Sequence, residues 1–288
     1  MTHYRQGDIK RKGSKFHDEG KWETFIDPLL PADCAYKTFV EMGCNLGMYL
    51  GLAKEKGFKN VYGVEKDAKV LRKLNGKYNV LPEEIGRTFV PNHLPVADIT
   101  LIANVHYHLQ VESLLEYMER LPYRTLYCII VSTEGHSPKG IHRFEGSMVD
   151  ILRFFSGWTV VETIGGISQK GDPKPRKLFS ILLKSNSLVE VDIEEYLKTS
   201  GRNRQYRKQF DDFIEKSLTD ATFDPSKHSV ALSHRAKRAN SLYKLITGVN
   251  ESGVKQPVIV AWGQLLDGYH RMCILRYLGY KKIVARIL

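Results

Sequence analysis

The chain has 288 residues, 42% hydrophobic and 26% charged, and its 43 Lys and Arg outnumber 32 Asp and Glu for a formal net charge of +11. This composition suits one or two packed domains and excludes a disordered or low-complexity chain. The positive surplus points to an anionic partner, and nucleic acid, a nucleotide or a phosphorylated small molecule all satisfy it.

No apolar run is long enough to cross a bilayer, and the polar, basic start does not read as a signal peptide, so no membrane partner is expected. The four cysteines, Cys34, Cys44, Cys128 and Cys273, are scattered without a C-x-x-C pair. That spacing argues against a zinc site and against a disulfide framework; no metal and a reducing cytoplasm are the expectation.

Residues Met1 to Pro31 begin basic and become amphipathic. Trp22, Phe25, Ile26 and Leu29 fall at helical spacing and predict a docking helix that Pro31 stops. Phe16 and His17 are candidates for a pocket that this lead-in shapes. From Phe39 to Asp67 the chain reads as strand, glycine turn, helix, strand and acid. Gly43 and Gly47 sit in the turn, Gly57 ends the helix, and Glu65 stands at the tip of the second strand. Glycines let a ligand approach the backbone, and a helix start offers free N–H groups. A carboxylate about 20 residues on can accept from ribose hydroxyls. The glycine spacing is not that of the dinucleotide fingerprint. Cys44, inside the turn, reads as packing rather than as a nucleophile.

A helix from Asp67 to Tyr78 follows, with Asp67 as its N-cap and Val70, Leu71 and Leu74 on one face. Arg87 to Val90 is predicted as the third strand, and Asn92 lies in the turn after it. Ala97 to Ala103 is a buried strand ending in Asn104-Val105-His106-Tyr107-His108-Leu109. Open parallel sheets bind ligands at such carboxyl ends. Imidazole titrates near neutrality, so either His106 or His108 suits a general base. A helix and the strand Leu126 to Ser132 lead to His136 at the same rim, and then to a loop with Lys139, His142 and Arg143. The planar fork of an arginine fits a phosphate or carboxylate there. A helix from Gly146 to Phe155 precedes the strands WTVVETIG and KLFSILLK, joined by a turn rich in Gly, Pro and Lys. The alternation is that of an α/β open sheet.

Glu41-x-Gly43-x-Asn45-x-Gly47, with Glu65 and the NVHYHL segment in order behind it, resembles motif I of class I S-adenosylmethionine-dependent methyltransferases. The resemblance implies a Rossmann-like sheet closed by an antiparallel hairpin, with S-adenosyl-L-methionine as cofactor. Glu41, Gly43, Asn45 and Gly47 would line the methionine end, Glu65 the ribose and Asn92 the adenine, with Cys44 and Asn104 also at the donor. His106 or His108 would serve as base, and His136, His142 and Arg143 would hold the acceptor. NVHYHL looks like the N-x-x-Y/H-H-L segment of small-molecule and tRNA wobble-uridine methyltransferases. The N/D-P-P-Y motif usual for base-amine methylation is absent, so an oxygen acceptor on a small or nucleotide-linked anionic molecule is expected.

A seam is predicted between Ser185 and Glu190, giving domains 1–185 and 186–288. Beyond it, Arg202, Arg204, Arg207 and Lys208 crowd a polar connector, read either as a phosphate-binding surface or as solvated helix faces. The last 50 residues contain a helix, the strand PVIVA, Asp267-Gly268-Tyr269-His270-Arg271 opening another helix, Leu278-Gly279 and a final strand. This stretch resembles the ParB/sulfiredoxin-like fold, a smaller α+β domain whose loop binds nucleotide phosphates. The resemblance implies phosphate or nucleotide binding by Asp267, Gly268, His270 and Arg271. Tyr269 stands where sulfiredoxins need cysteine, which disfavours reductase chemistry. The chain ends without a helix-turn-helix, which disfavours chromosome partition. The DGYHR form looks closer to the kinase branch. There Asp267 either aids the phosphoryl site or caps the helix, and Glu251 is a candidate base. Two alternatives stand beside the methyltransferase reading: an RNA-modifying enzyme gripping RNA through the basic connector, and a donor-binding domain serving a C-terminal small-molecule kinase.

Overall fold

The structure, a computed structural model, describes residues 18–74, 76–82, 94–103, 105, 116, 118–134, 156–168, 177–200, 204–228, 236–261 and 263–288. The chain divides into two compact units, Met1–Ser187 and Leu188–Leu288.

The first unit is an α/β, Rossmann-like open sheet of seven strands: β1 (Thr38–Met42), β2 (Asn60–Glu65), β3 (Asn79–Pro82), β4 (Ala97–Ala103), β5 (Thr125–Glu134), β6 (Trp158–Ser168) and β7 (Lys177–Ser185), in the order β3-β2-β1-β4-β5-β7-β6. The strands from β3 to β5 pair in parallel, and β7 runs antiparallel between β5 and β6. The closing hairpin expected from the sequence is therefore present. All five residues of β1 are buried, as a strand covered on both faces requires. One core layer holds Val40, Met42, Val64, Ile102, Ile130 and Ile181. The other holds Phe39, Leu50, Ala53, Val61, Leu74 and Leu101. The helices α2 (Met48–Lys56) and α3 (Ala68–Leu74) contribute to this second layer.

The third strand lies at Asn79–Pro82, earlier than Arg87 to Val90, which falls outside the described residues. The docking helix also differs in detail. After α1 (Asp18–Lys21), Trp22–Ile26 form a π turn and Asp27–Leu29 a 3₁₀ turn. Such changes of winding shift which residues share a face. Here Trp22, Phe25, Ile26 and Leu29 are all buried, with Trp22 stacked on Tyr49 at 6.2 Å between centroids.

The second unit is α+β. Its sheet, in the order β10-β9-β11-β8, comprises β8 (Val189–Asp192), β9 (Val258–Ala261), β10 (Gln264–Asp267) and β11 (Lys282–Ile287). Among the described residues four α-helices accompany it: α4 (Ile193–Thr199), α5 (Arg204–Thr219), α6 (Ala236–Ser252) and α7 (Tyr269–Tyr277). Phe210, Phe213, Ile214, Ile246, Val258, Met272 and Ile274 share its core. Among the described residues no helix is long and apolar enough to cross a membrane.

Candidate functional site

In the first unit the carboxyl ends of β1 and β2 lie side by side, and the turn after β1 folds back over them. Gly43 (φ 73°), Asn45 (φ 45°) and Gly47 (φ 74°) all adopt left-handed backbone. Three such residues in five make a tight turn that side-chain-bearing residues resist. Gly43 and Cys44 each donate their backbone N–H to the Val64 carbonyl at 2.9 Å. Gly47 caps α2 without any side chain, so the helix start is not covered by a capping group of its own.

Glu65 fastens this turn. Its Oε2 accepts from the Asn45 amide at 2.9 Å, and its Oε1 accepts from the amides of Lys66 at 2.8 Å and Asp67 at 2.9 Å. A carboxylate has about four acceptor positions, so these bonds leave one, on Oε2. Glu65 thus faces the loop rather than bulk water, and most of its capacity holds backbone. Asp67 caps α3 as expected, its Oδ1 accepting from the Lys69 amide at 2.7 Å.

Below the loop the packing is close. Cys44 is fully buried, and burial, aided by the nearby Glu41 and Glu65 charges, pushes its thiol far above the ordinary range. An added Cβ at Gly63 would lie 2.6 Å from Cys44 Sγ and 2.9 Å from Leu50 Cδ1. Any share Cys44 takes in binding is therefore through its main chain. Glu41 is 1% exposed, inside β1 beneath the turn. A Cβ at Gly47 would lie 2.9 Å from the Tyr78 ring, so Tyr78 covers the first turn of α2. Tyr78 was not anticipated; the small residues Gly47 and Gly51, one helical turn apart, are the signal that a large ring must sit on them. Asn92, Asn104, His106, His108, His136, His142 and Arg143 lie outside the described residues, as do Phe16 and His17. Val105, at the end of β4, is half-buried and packs on the first core layer. Among the described residues no cluster of His, Cys, Asp or Glu is placed to hold a metal ion.

The second unit contains a cleft of about 530 Å³ whose lining includes Lys244, Lys255, Arg271 and Arg286, with Asp267 and the apolar Leu245, Val249, Pro257 and Ile259. Of the four residues expected to bind phosphate, Asp267 and Arg271 line this cleft and His270 does not. Arg271 Nη1 donates to the Gln256 and Pro257 carbonyls at 2.6 and 2.8 Å, and Nη2 donates to Asp267 Oδ2 at 2.6 Å. Its guanidinium braces the cleft wall. Asp267 therefore does not cap α7; Gly268 does, at φ 101°. Gly268 answers a packing need, because a Cβ there would lie 2.4 Å from Val258 Cγ1. His270 Nε2 meets the Tyr206 hydroxyl at 3.0 Å, and its ring packs 4.9 Å from Phe210. Glu251 is exposed in the last turn of α6 and does not line the cleft.

In the basic connector, Arg202 lies outside the described residues. Arg207 donates to the Leu197 carbonyl at the end of α4, a structural bond, while Lys208 is exposed. Lys244 and Arg286 were missed in the sequence. Lys244 and Gly248, one helical turn apart, mark the face of α6 that opens on the cleft.

No protein-family model matches the chain, and no curated protein matches it. Solved structures with partial likeness include a SAM-dependent methyltransferase from Archaeoglobus fulgidus, 17% identical, covering 56% of this chain and 91% of its own with a TM-score of 0.45. Another is an S-adenosylmethionine-dependent methyltransferase from Mesorhizobium loti, 13% identical, covering 57% of this chain and 97% of its own with a TM-score of 0.44. So distant a likeness decides nothing about this chain's chemistry.

Proposed function

We propose that the protein is an S-adenosylmethionine-dependent methyltransferase whose first unit binds the donor at the turn Gly43–Gly47. The observation that carries the reading is the clamp between Glu65 and Asn45, which holds a left-handed turn and an uncapped helix start at the carboxyl edge of a β3-β2-β1-β4-β5-β7-β6 sheet. Ligands of open α/β sheets bind at that edge. These residues fit the donor: Gly43 and Gly47 hold left-handed backbone and put no side chain of their own into the turn, and one acceptor position is left on Glu65 for a ribose hydroxyl. Bound there, S-adenosylmethionine supplies a methyl group already activated as a sulfonium. The chain's own task is then to orient donor and acceptor, and to take a proton where the acceptor is a hydroxyl. His106 or His108 is the proposed base. His136, His142 and Arg143 are proposed to hold a small or nucleotide-linked anionic acceptor, which is methylated on oxygen.

For the second unit we infer a nucleotide or phosphate site in the cleft of Lys244, Lys255 and Arg286. Cationic groups above an apolar wall suit a phosphate joined to a base. Thermal unfolding with S-adenosylhomocysteine, ATP and CTP tests both readings, since a ligand of the folded state raises the melting temperature. S-adenosylhomocysteine is expected to raise it in wild type and not in Glu65→Ala. No shift at millimolar concentration would end the donor reading. A CTP or ATP shift that survives Lys244→Ala with Arg286→Ala would end the second.

A further inference from the structure

We propose that the outer face formed by α2, α3 and the turns beside them binds the phosphodiester backbone of a nucleic acid. Between Lys54 and Tyr78 the chain has eight Lys and Arg against three carboxylates, so five of its eleven net charges fall in one short stretch. The fold brings them to one side. Two right-handed crossovers in the same direction, β1 to β2 and β2 to β3, put both helices on the same face of the sheet. Tyr49, Leu50, Ala53 and Leu74 turn inward to one shared core layer, while Lys54, Lys59, Lys69, Arg72, Lys73 and Lys77 are exposed.

Two of the three carboxylates are committed to backbone. Glu65 binds three amides and Asp67 caps α3. Lys56 is paired with Asp27 at 2.8 Å. Among the described residues, no carboxylate pairs with Lys54, Lys59, Lys69, Lys73 or Lys77. Lys69 and Lys73 stand four residues apart on α3, a like-charge spacing that weakens a helix. Lys54 and Lys77 both approach the Tyr78 ring, at 4.9 and 5.2 Å, and Lys54 Nζ donates to the Lys77 carbonyl at 3.4 Å. A merely solvated helix face gains nothing from crowding like charges in this way, whereas phosphates relieve it and release counterions.

An anionic membrane is the competing polyanion, and the face lacks what it needs. The exposed large apolar side chains among the described residues lie elsewhere, at Tyr36, Tyr123, Val160, Val161, Leu266 and Tyr277 and at the last two residues. Without an apolar anchor, a folded surface holds lipid weakly. The upper end of the basic face, at Lys69 in the first turn of α3, follows four residues after Glu65 at the tip of β2, so a bound polymer would run up to the Gly43–Gly47 turn that Glu65 holds. The inference does not rest on methyl transfer, because binding alone tests it.

The test is fluorescence anisotropy of the full chain with labelled RNA and DNA, each single-stranded and duplex, across a salt series. Wild type is expected to bind at least one of these, with a steep fall in affinity as salt rises. Lys69→Glu with Lys73→Glu should weaken binding roughly tenfold or more and flatten the log–log salt slope by about 1–2. Lys69→Gln with Lys73→Gln gives the same direction if charge reversal harms folding, which the melting temperature reports. Lys198→Glu with Lys281→Glu, two exposed lysines of the second unit outside the basic connector and the cleft, should change affinity less than about twofold. Equal losses in both pairs, no saturable binding to any of the four polymers, or binding to phosphatidylserine vesicles alone would overturn the proposal. The RNA and DNA arms decide which polymer is held.

Discussion

The Asn45 amide and the Glu65 carboxylate meet at 2.9 Å across twenty residues of sequence, tying the turn after β1 to the tip of β2. Glu65→Gln tests what that tie does. The amide keeps the size and can still accept from Lys66 and Asp67, but the NH₂ group then faces the Asn45 N–H, donor against donor. A hydrogen bond to a charged group contributes about 1.5–3 kcal/mol. With the turn no longer held, S-adenosylhomocysteine affinity measured by calorimetry should fall about 10- to 100-fold, and the melting temperature of the free protein should fall too, because the Asn45 bond is lost from the fold itself. An affinity within twofold of wild type would remove Glu65 from the site.

The parts of the fold that were legible in the sequence are those buried on both sides. Thr38 to Val40 and Ala97 to Ala103 are mostly apolar stretches, as burial on two faces demands. Asn79–Pro82 and Gln264–Asp267 were not read as strands. Both are four-residue edge strands, half exposed and partly polar, so little in their composition separates them from turns. The position of Glu65 was legible from its spacing, but its partners were not, because they depend on the left-handed backbone at Asn45. His270 and Arg271 were assigned one task because they are neighbours in sequence. Successive residues on a helix point about 100° apart, so His270 turns to Tyr206 and Phe210 while Arg271 turns to the Gln256–Pro257 segment.

Gly63 has no room for a side chain, and this gives a prediction in stability. Gly63→Ala forces its Cβ against Cys44 Sγ and Leu50 Cδ1. Overpacking of this kind costs about 1–3 kcal/mol. In a Cys44→Ala background the nearest clash is gone, so the same substitution should cost less by about 1 kcal/mol. Urea unfolding of the four proteins closes the cycle. Additivity within ~0.5 kcal/mol would mean that the thiol does not set the requirement for glycine.

Arg271 is predicted to matter to the second unit before any ligand binds. It makes three short bonds from a side chain that is 14% exposed, whereas Asp267 is 65% exposed. Lysine carries the charge but cannot bridge two carbonyls and a carboxylate in one plane. Arg271→Lys should destabilise by about 1–3 kcal/mol. Asp267→Asn, at an exposed ion pair, should cost at most about 1 kcal/mol. Reversal of that order in thermal or urea unfolding would show that the bracing bonds are not the source of stability.

The buried thiols set a limit on alkaline stability. Burial pushes Cys34, Cys44 and Cys128 above the ordinary thiol range, and Cys273 to about 11. An exposed thiol in the unfolded chain ionises near ~8.5. Below that pH both states hold the proton and the full stability is present. Above it the unfolded chain releases protons that the folded chain keeps, so stability falls as pH climbs through 9 and 10 toward the folded values. Each fully protected thiol should contribute a slope of roughly 1 kcal/mol per pH unit in that window. Urea unfolding between pH 8 and 10 should show the decline, and Cys128→Ala should be less steep than wild type by one such share, whatever its stability at pH 8. At pH 8 a thiol reagent should label none of the four cysteines in the folded protein and all four in denaturant. Rapid labelling of Cys128 without unfolding, or equal slopes for wild type and Cys128→Ala, would contradict the burial that the structure gives it.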